Sequence, residues 1–272
     1  MPLNADFYKA VEPLYYPGMG TEHVAPLLYS LIRMTRPRRV LEVGLGYTTP
    51  FIAQALVDNV AEFEVDRRLL ANPGEDDERR LVLAEEYHES DYAPCHHAID
   101  DFSDEDSSGQ TALDVVSALN LASVVRTHPG DFRGRSLEMG ESAFPLDLVW
   151  FDCGGLVEYV DFIEEYWRLI NPDHGLLLLH FTYSRLSFVR DGVQDVKLIC
   201  GPVANEIKRQ QIKAGVNATF EVLSLVEPHK ARQGSVTLVR KLPWTSMCRD
   251  RDFKQEVLEI AGRSPKPIIK LQ

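Results

Sequence analysis

Apolar strand-like runs alternate with amphipathic helical stretches five times along this chain, and that alternation constrains the fold more than any single motif. The first run, RRVLEVG (38–44), leads through a glycine turn into TTPFIAQALV (48–57), where Pro50 is tolerated in a first helical turn. CHHAIDDFS reads as the second strand and TALDVVSALNL as its helix, with Leu113, Val116 and Leu119 at helical spacing. SVVRTHPGDF and LDLVWFDCGG read as the third and fourth strands. In LVEYVDFIEEYWRLI the residues Leu156, Val160, Ile163, Trp167 and Ile170 recur at steps of four and three, leaving the acids outside. GLLLLHF is uninterrupted and apolar, as expected of a parallel strand covered by helices on both faces. ANEIKRQQIKAG reads as a further helix, and FEVLSLVEP and GSVTLVRK as two strands joined by a polar loop containing Gly234, a hairpin signal.

Right-handed crossovers turn this order into a doubly wound α/β sandwich, with ligands at the carboxyl ends of the strands. The expected sheet has seven mostly parallel strands and a terminal antiparallel hairpin. Ahead of it, HVAPLLYSLIRM places Val24, Leu27, Leu28 and Leu31 on one helix face before Pro37 stops it. The organisation expected is therefore an N-terminal helical lid segment over 1–37, a binding domain over 38–242, and a C-terminal helix and tail over 243–272. Residues 58–94, with PGEDDERRLVLAEEY, fall outside the alternation; they read as an insertion that lies over a ligand or, equally well, as a solvated helix pair.

Several classes are disfavoured at once. No apolar run is long enough for a membrane span, and MPLNADFYKAVEP lacks the basic start and apolar core of a secretion signal, so a cytoplasmic protein is expected. Four scattered cysteines with no CxxC pair argue against a zinc site or a disulfide framework. The net charge of −12 disfavours nucleic acid, and no basic cluster larger than RPRR (36–39) appears.

The chemistry-bearing residues fall at the strand ends. Glu42 precedes the turn Gly44-Leu45-Gly46; Asp100 and Asp101 follow the second run; Gly130-Asp131-Phe132 follow the third; Asp152 and Cys153 follow the fourth; and His180 ends the fifth. Each alone would be an ordinary turn or loop residue. Together and in this order, the series Glu42-Val-Gly44-Leu-Gly46, Asp100-Asp101, Gly130-Asp131-Phe132, Asp147 to Asp152 and NPDHGLLLLHF resembles class I S-adenosylmethionine-dependent methyltransferases over roughly residues 20–240. The stretch GMGTEHVAPLLYSLIRMTRPRRVLEVGLGYTT looks like small-molecule O-methyltransferases of the catechol type.

That resemblance implies S-adenosyl-L-methionine as cofactor. Glu42, Gly44, Gly46, Tyr47 and Thr48 would hold its methionine end, Asp100 (with Asp101 as the one-residue alternative) its ribose, and Asp131 and Phe132 its adenine edge. Thr49 stands where a third glycine is usual. Asp66 lies at the usual distance past the turn but leaves a connection to Asp131 far longer than one helix needs, so Asp100 is the expected ribose acid. Asp152 matches the acid of the catechol-type metal set, but HFTYS supplies neither carboxylate nor amide, and no metal is expected. His180 becomes the candidate general base, with Asp152 orienting it or meeting a cationic group directly, while His96 and His97 read as packing residues. From DFYKAVEPLYYPGMGTEH, Tyr15 or Tyr16 would reach the acceptor, and Glu22 and His23 would sit at the same rim. The implied function is methyl transfer to an oxygen or nitrogen of a small molecule, with a homodimer as one account of the terminal segments. The classes left beside it are an NAD(P)-dependent oxidoreductase and a cofactor-binding protein without catalysis.

Overall fold

Strand β1 (Arg39–Val43) follows the helix α2 (Val24–Thr35), which ends where Arg36 turns left-handed at φ 46° just before Pro37. In the computed structural model, residues 3–72, 74, 77–102, 107–154, 156–180, 184–190, 193–199, 209, 219–227 and 235–242 are described. The remaining strands of the main sheet are β2 (Cys95–Asp100), β3 (Val125–Pro129), β4 (Leu148–Phe151) and β5 (Leu176–His180), then, beyond the small pair β6 (Ser184–Arg190) and β7 (Val193–Ile199), β8 (Thr219–Val226) and β9 (Ser235–Leu242). Their order is β3-β2-β1-β4-β5-β9-β8. β1 to β5 pair in parallel, and β9 enters antiparallel between β5 and β8. This is the doubly wound sheet with a terminal hairpin that the alternation implies. The β6–β7 pair has no counterpart in the expected order.

Alternation along the central strands builds two cores, one on each face of the sheet. Leu41, Val149, Phe151, Leu177 and Leu179 pack beneath α7 (Leu156–Tyr166), against Phe162 and Ile163. Val40, Leu148, Trp150, Leu176 and Leu178 face the other way, toward Leu28 and Ile32 of α2 and Ile52 and Leu56 of α3 (Thr48–Ala71). α1 (Ala5–Val11), capped by the Asn4 side chain, sets Phe7 edge-on to Phe51 at 4.8 Å and so ties the N-terminal segment to α3.

The largest departure from expectation lies in residues 58–94. Residues 58–71 are not an insertion but the second half of α3, which runs on to Ala71. Its buried face there is polar, which hides the helical period. Asp58 accepts from the Tyr29 hydroxyl at 2.7 Å, Asn59 donates to the Ile32 carbonyl at 2.8 Å, and Asp66 meets Arg36 at 3.2 Å and Arg79 at 2.7 Å. The acidic helix expected after Gly74 is two single turns, α4 (Asp77–Arg80) and α5 (Glu85–His88), with α6 (Gly109–Ala118) following β2. Tyr92 donates to the Pro37 carbonyl at 2.9 Å, which fixes this stretch at the amino ends of β1 and β2, the pole opposite the glycine turn. There it cannot cover a ligand at the carboxyl ends. The helix expected over 204–215 (Arg209 apart), the loop containing Gly234 and the tail 243–272 lie outside the described residues. Among the described residues no helix is long and apolar enough to cross a membrane.

One buried cation sits at the edge of the α7-side core. The Lys241 ammonium donates to the carbonyls of Trp167 and Ile170 and lies 4.4 Å from the Trp167 ring centroid. Burial pushes its pKa down from 10.5 to about 8, against the carbonyls and indole face that favour the charged form. Between those two pH values the unfolded chain binds more protons than the folded one, so this group makes stability rise with pH by about 1 kcal/mol per unit. A melting temperature that climbs from pH 8 to pH 9.5 is expected for the parent chain. Lys241→Met should flatten that climb, and an unchanged slope would remove Lys241 as its source.

Candidate active site

Every strand from β1 to β5 ends at the same pole. At the end of β1, Gly44 has φ +89°, and a Cβ built there would stand 2.4 Å from the Asp152 carbonyl oxygen. No residue but glycine fits this approach, and it brings the β1 and β4 exits together. A Cβ on Gly46 would stand 3.0 Å from the Ser108 hydroxyl, so the β2–α6 connection closes on the same turn. Thr49, in the third glycine's place, accepts from the Gly46 amide at 3.0 Å and so completes the turn with its side chain.

Two cavities open beside this turn and share part of their walls. One of about 220 Å³ is lined by Gly44, Asp100, Asp131, Phe132, Cys153 and Glu158, among others. The other, about 400 Å³, lies between the turn and the N-terminal segment, with Tyr16, Met19, Tyr47, Thr48, Ser108 and Asp152 in its wall. Asp100 and Asp101 border both. Asp100 ends β2, and its oxygens accept from the Leu45 amide and the Phe102 amide, each at 2.8 Å. A carboxylate has about four lone-pair positions, so it keeps acceptor capacity toward the cavities. Asp131 is held by the Arg133 amide at 2.8 Å and guanidinium at 2.9 Å, and Arg133 lies over the Phe132 ring. Cys153 faces both cavities as a neutral thiol, because burial pushes its pKa up to about 12.

Two sequence candidates sit elsewhere than their roles require. Glu42 is fully buried on the α3 side of β1, where it accepts from Thr48 Oγ1 at 2.6 Å and lies 3.0 Å from His96 Nε2. It stands behind the wall and lines neither cavity, so it would act on a ligand through Thr48 alone. His180, also fully buried, lines neither cavity; its Nδ1 lies 2.7 Å from Asp152 Oδ1 and its carbonyl accepts from Tyr159. The pair expected as base and orienting acid is thus in contact, with the acid rather than the imidazole in the cavity wall. Asp152, 21% exposed, faces the cavity, and His180 holds it from behind. His97 packs on His128 at 2.9 Å; burial and that neighbour lower its pKa to about 4, which keeps it neutral, as a packing role demands. Asp66, the alternative ribose acid, lies within the α3 ion network at the far pole.

The N-terminal residues complete the larger cavity: Leu14, Tyr16, Gly18, Met19 and Thr21 form its outer wall. Tyr15 meets Tyr47 edge-on at 6.1 Å, and His23 pairs with Glu227 beyond β8. Sequence reading missed Ser107 and Ser108, which line the same cavity; the signal was a serine pair just before a helix, where side-chain oxygens gather. Among the described residues, no group of three His, Cys, Asp or Glu side chains is placed to hold a metal ion.

With this geometry in hand, solved structures give a direct comparison. An O-methyltransferase of Streptomyces achromogenes involved in tomaymycin synthesis, crystallised with S-adenosylmethionine, aligns at TM-score 0.53 with 15% identity, over 88% of this chain and 90% of that one. The O-methyltransferase of Bacillus cereus, in complex with S-adenosylhomocysteine, aligns at TM-score 0.53 with 14% identity, over 88% and 92%. The fold is that of the class I methyltransferases. No family model matches the chain, and no curated protein sequence does.

Proposed function

We propose that this protein transfers a methyl group from S-adenosyl-L-methionine to a small molecule. The observation that carries the reading is the closed approach of Gly44 to the β4 exit, with an acid at the end of β2 bordering cavities on both sides of the turn. The residues present fit an adenosyl amino acid. Tyr47, Thr48 and the backbone of the turn border the part of the larger cavity suited to the methionine end, Asp100 or Asp101 suits the ribose hydroxyls, and Asp131 and Phe132 suit the adenine edge. When bound, the cofactor supplies an electrophilic methyl group on a sulfonium.

The rest falls to the chain's own groups. Alignment of an acceptor about 3–3.5 Å from the reacting carbon supplies much of the rate in such a displacement. The wall of Tyr16, Met19 and Tyr47 would hold that acceptor and exclude water. Asp152 would take a proton or fix a cationic acceptor, a role supported by its place in the cavity wall, with His180 donating from Nδ1 to set its orientation. An oxygen acceptor follows from the catechol-type resemblance. A nitrogen acceptor, an amine or guanidine, is favoured by the partly exposed Asp152 carboxylate in the cavity wall and is the second reading. Both are small molecules, for which the acidic chain and the two cavities beside the glycine turn are suited.

Calorimetric titration with S-adenosylhomocysteine, then with NAD, each with and without magnesium, tests the proposal. Micromolar binding of the first alone, indifferent to magnesium, is the expected result. Binding of NAD in its place, or of neither, would overturn it.

A further inference from the structure

A third cavity, of about 350 Å³, lies at the opposite pole of the sheet. The RPRR segment forms one wall through Thr35, Arg36, Pro37, Arg38 and Arg39; Tyr87, Asp147, Asn171, His174 and Leu176 form the rest. Arg39 opens β1 and Leu176 opens β5, so the strands themselves separate this cavity from the glycine turn. Its volume lies within the range of small-molecule sites, roughly 300–1,000 Å³.

The lining is rich in donors left over after internal bonding. The Arg36 charge is matched by Glu62 at 2.8 Å and Asp66 at 3.2 Å. Those of Arg38 and Arg39 are not: Arg38 donates to the Asp91 carbonyl and, at 3.0 Å, to the Ser90 hydroxyl, and Arg39 donates to the Ser142 carbonyl at 2.9 Å. Neither guanidinium meets a carboxylate among the described residues, and each keeps most of its N–H donors. The one carboxylate in the wall, Asp147, is already engaged. It accepts from the Arg38 and Arg39 amides at 2.9 and 3.0 Å and from Asn171 Nδ2 at 2.9 Å, with His174 Nε2 at 3.7 Å. The Tyr87 hydroxyl is buried with no hydrogen-bond partner, burial raises its pKa, and the Arg38 guanidinium carbon lies 5.9 Å from the centre of its ring. A buried hydroxyl without a partner costs about 1–3 kcal/mol unless something supplies one.

We infer that this cavity binds a small oxyanion, a phosphate or carboxylate group on a small organic molecule, between Arg38, Arg39 and the Tyr87 hydroxyl. Two guanidiniums and a phenol in one cavity wall offer unused donors, and oxyanions are what such groups recognise. Pro37, Leu176 and the Tyr87 ring give the body of the ligand apolar surface. The site is separate from the one proposed for methyl transfer, since it lies at the opposite pole of the sheet from the glycine turn.

Thermal melting of the full chain in inorganic phosphate, in acetate, and in sodium chloride at matched ionic strength tests it. With 10 mM phosphate or acetate, a rise in melting temperature of about 3 °C over chloride is expected, and the stronger of the two identifies the oxyanion. Arg38→Gln with Arg39→Gln should abolish the rise. Tyr87→Phe keeps the ring and should weaken the apparent affinity about fivefold, by loss of one hydrogen bond. A rise equal to that in chloride, or one that survives unchanged in these variants, overturns the inference, as would a cavity that holds water alone and responds to neither oxyanion.

Discussion

Gly44→Ala is expected to abolish S-adenosylhomocysteine binding, with affinity at least about 100-fold weaker, and to cost the fold about 3–5 kcal/mol. Two effects combine. A side chain at φ +89° carries the left-handed penalty of about 1–2 kcal/mol. The larger effect is contact: the new Cβ would stand 2.4 Å from the Asp152 carbonyl oxygen and 3.1 Å from its carbon, both backbone atoms that cannot rotate away. Relief requires the β1 and β4 exits to part, which moves Asp152 and Cys153 in the wall of the larger cavity and the turn itself. Gly140→Ala separates the two effects. Its φ is +79° and ψ 159°, a conformation essentially confined to glycine, with nothing within 4 Å of the added carbon, so it should show a backbone penalty alone, about 1–3 kcal/mol, and keep wild-type affinity. Calorimetry with both variants decides the matter. Equal affinities for Gly44→Ala and the parent would mean that the turn does not hold the cofactor.

The fold was legible because its strands obey a simple rule and its helices mostly do. Leu148 to Phe151 and Leu176 to Leu179 are apolar at every position since both sheet faces are covered, and no surface pattern competes with that signal. α3 was misjudged past residue 57 for the opposite reason. Asp58, Asn59 and Asp66 face α2 and α4, not solvent, and a buried polar face erases the apolar period on which helix recognition rests. Pro73-Gly74 was the surviving signal of where that helix ends. At the site, strand ends placed Asp100, Asp131 and Asp152 at one pole from sequence alone, because a parallel sheet puts all its carboxyl ends together. Which side chain faces the cavity was not legible. Glu42 and Val43 differ by one residue, hence by sheet face, and only the pairing of Glu42 with His96 and Thr48 reveals that its carboxylate serves the α3 side. His180, still inside β5, stays in the core, whereas Asp152, its neighbour in register but already past the end of β4, stands at the cavity wall.

That distinction sharpens the test of the two candidate ribose acids. Asp100→Asn should weaken S-adenosylhomocysteine binding by about 100-fold. A carboxylate that accepts from both hydroxyls of a ribose makes two charge-assisted bonds of about 1.5–3 kcal/mol each, and an amide keeps only part of that. Asn can still accept from either the Leu45 or the Phe102 amide, so the connection after β2 should keep its shape and the melting temperature should fall little. Asp66→Asn should give the reverse. Asp66 is 2% exposed between Arg36 and Arg79, so losing its charge leaves two guanidiniums facing an amide, and the protein should melt earlier by several degrees. Its ligand affinity should stay within twofold, because it sits at the amino-end pole. An Asp100→Asn protein that melts normally and binds normally would leave Asp101, which borders the same two cavities, as the acid to examine. Opposite responses of affinity and stability at Asp100 and Asp66 would tie the ribose to the end of β2 by a measurement that neither clash nor unfolding can imitate.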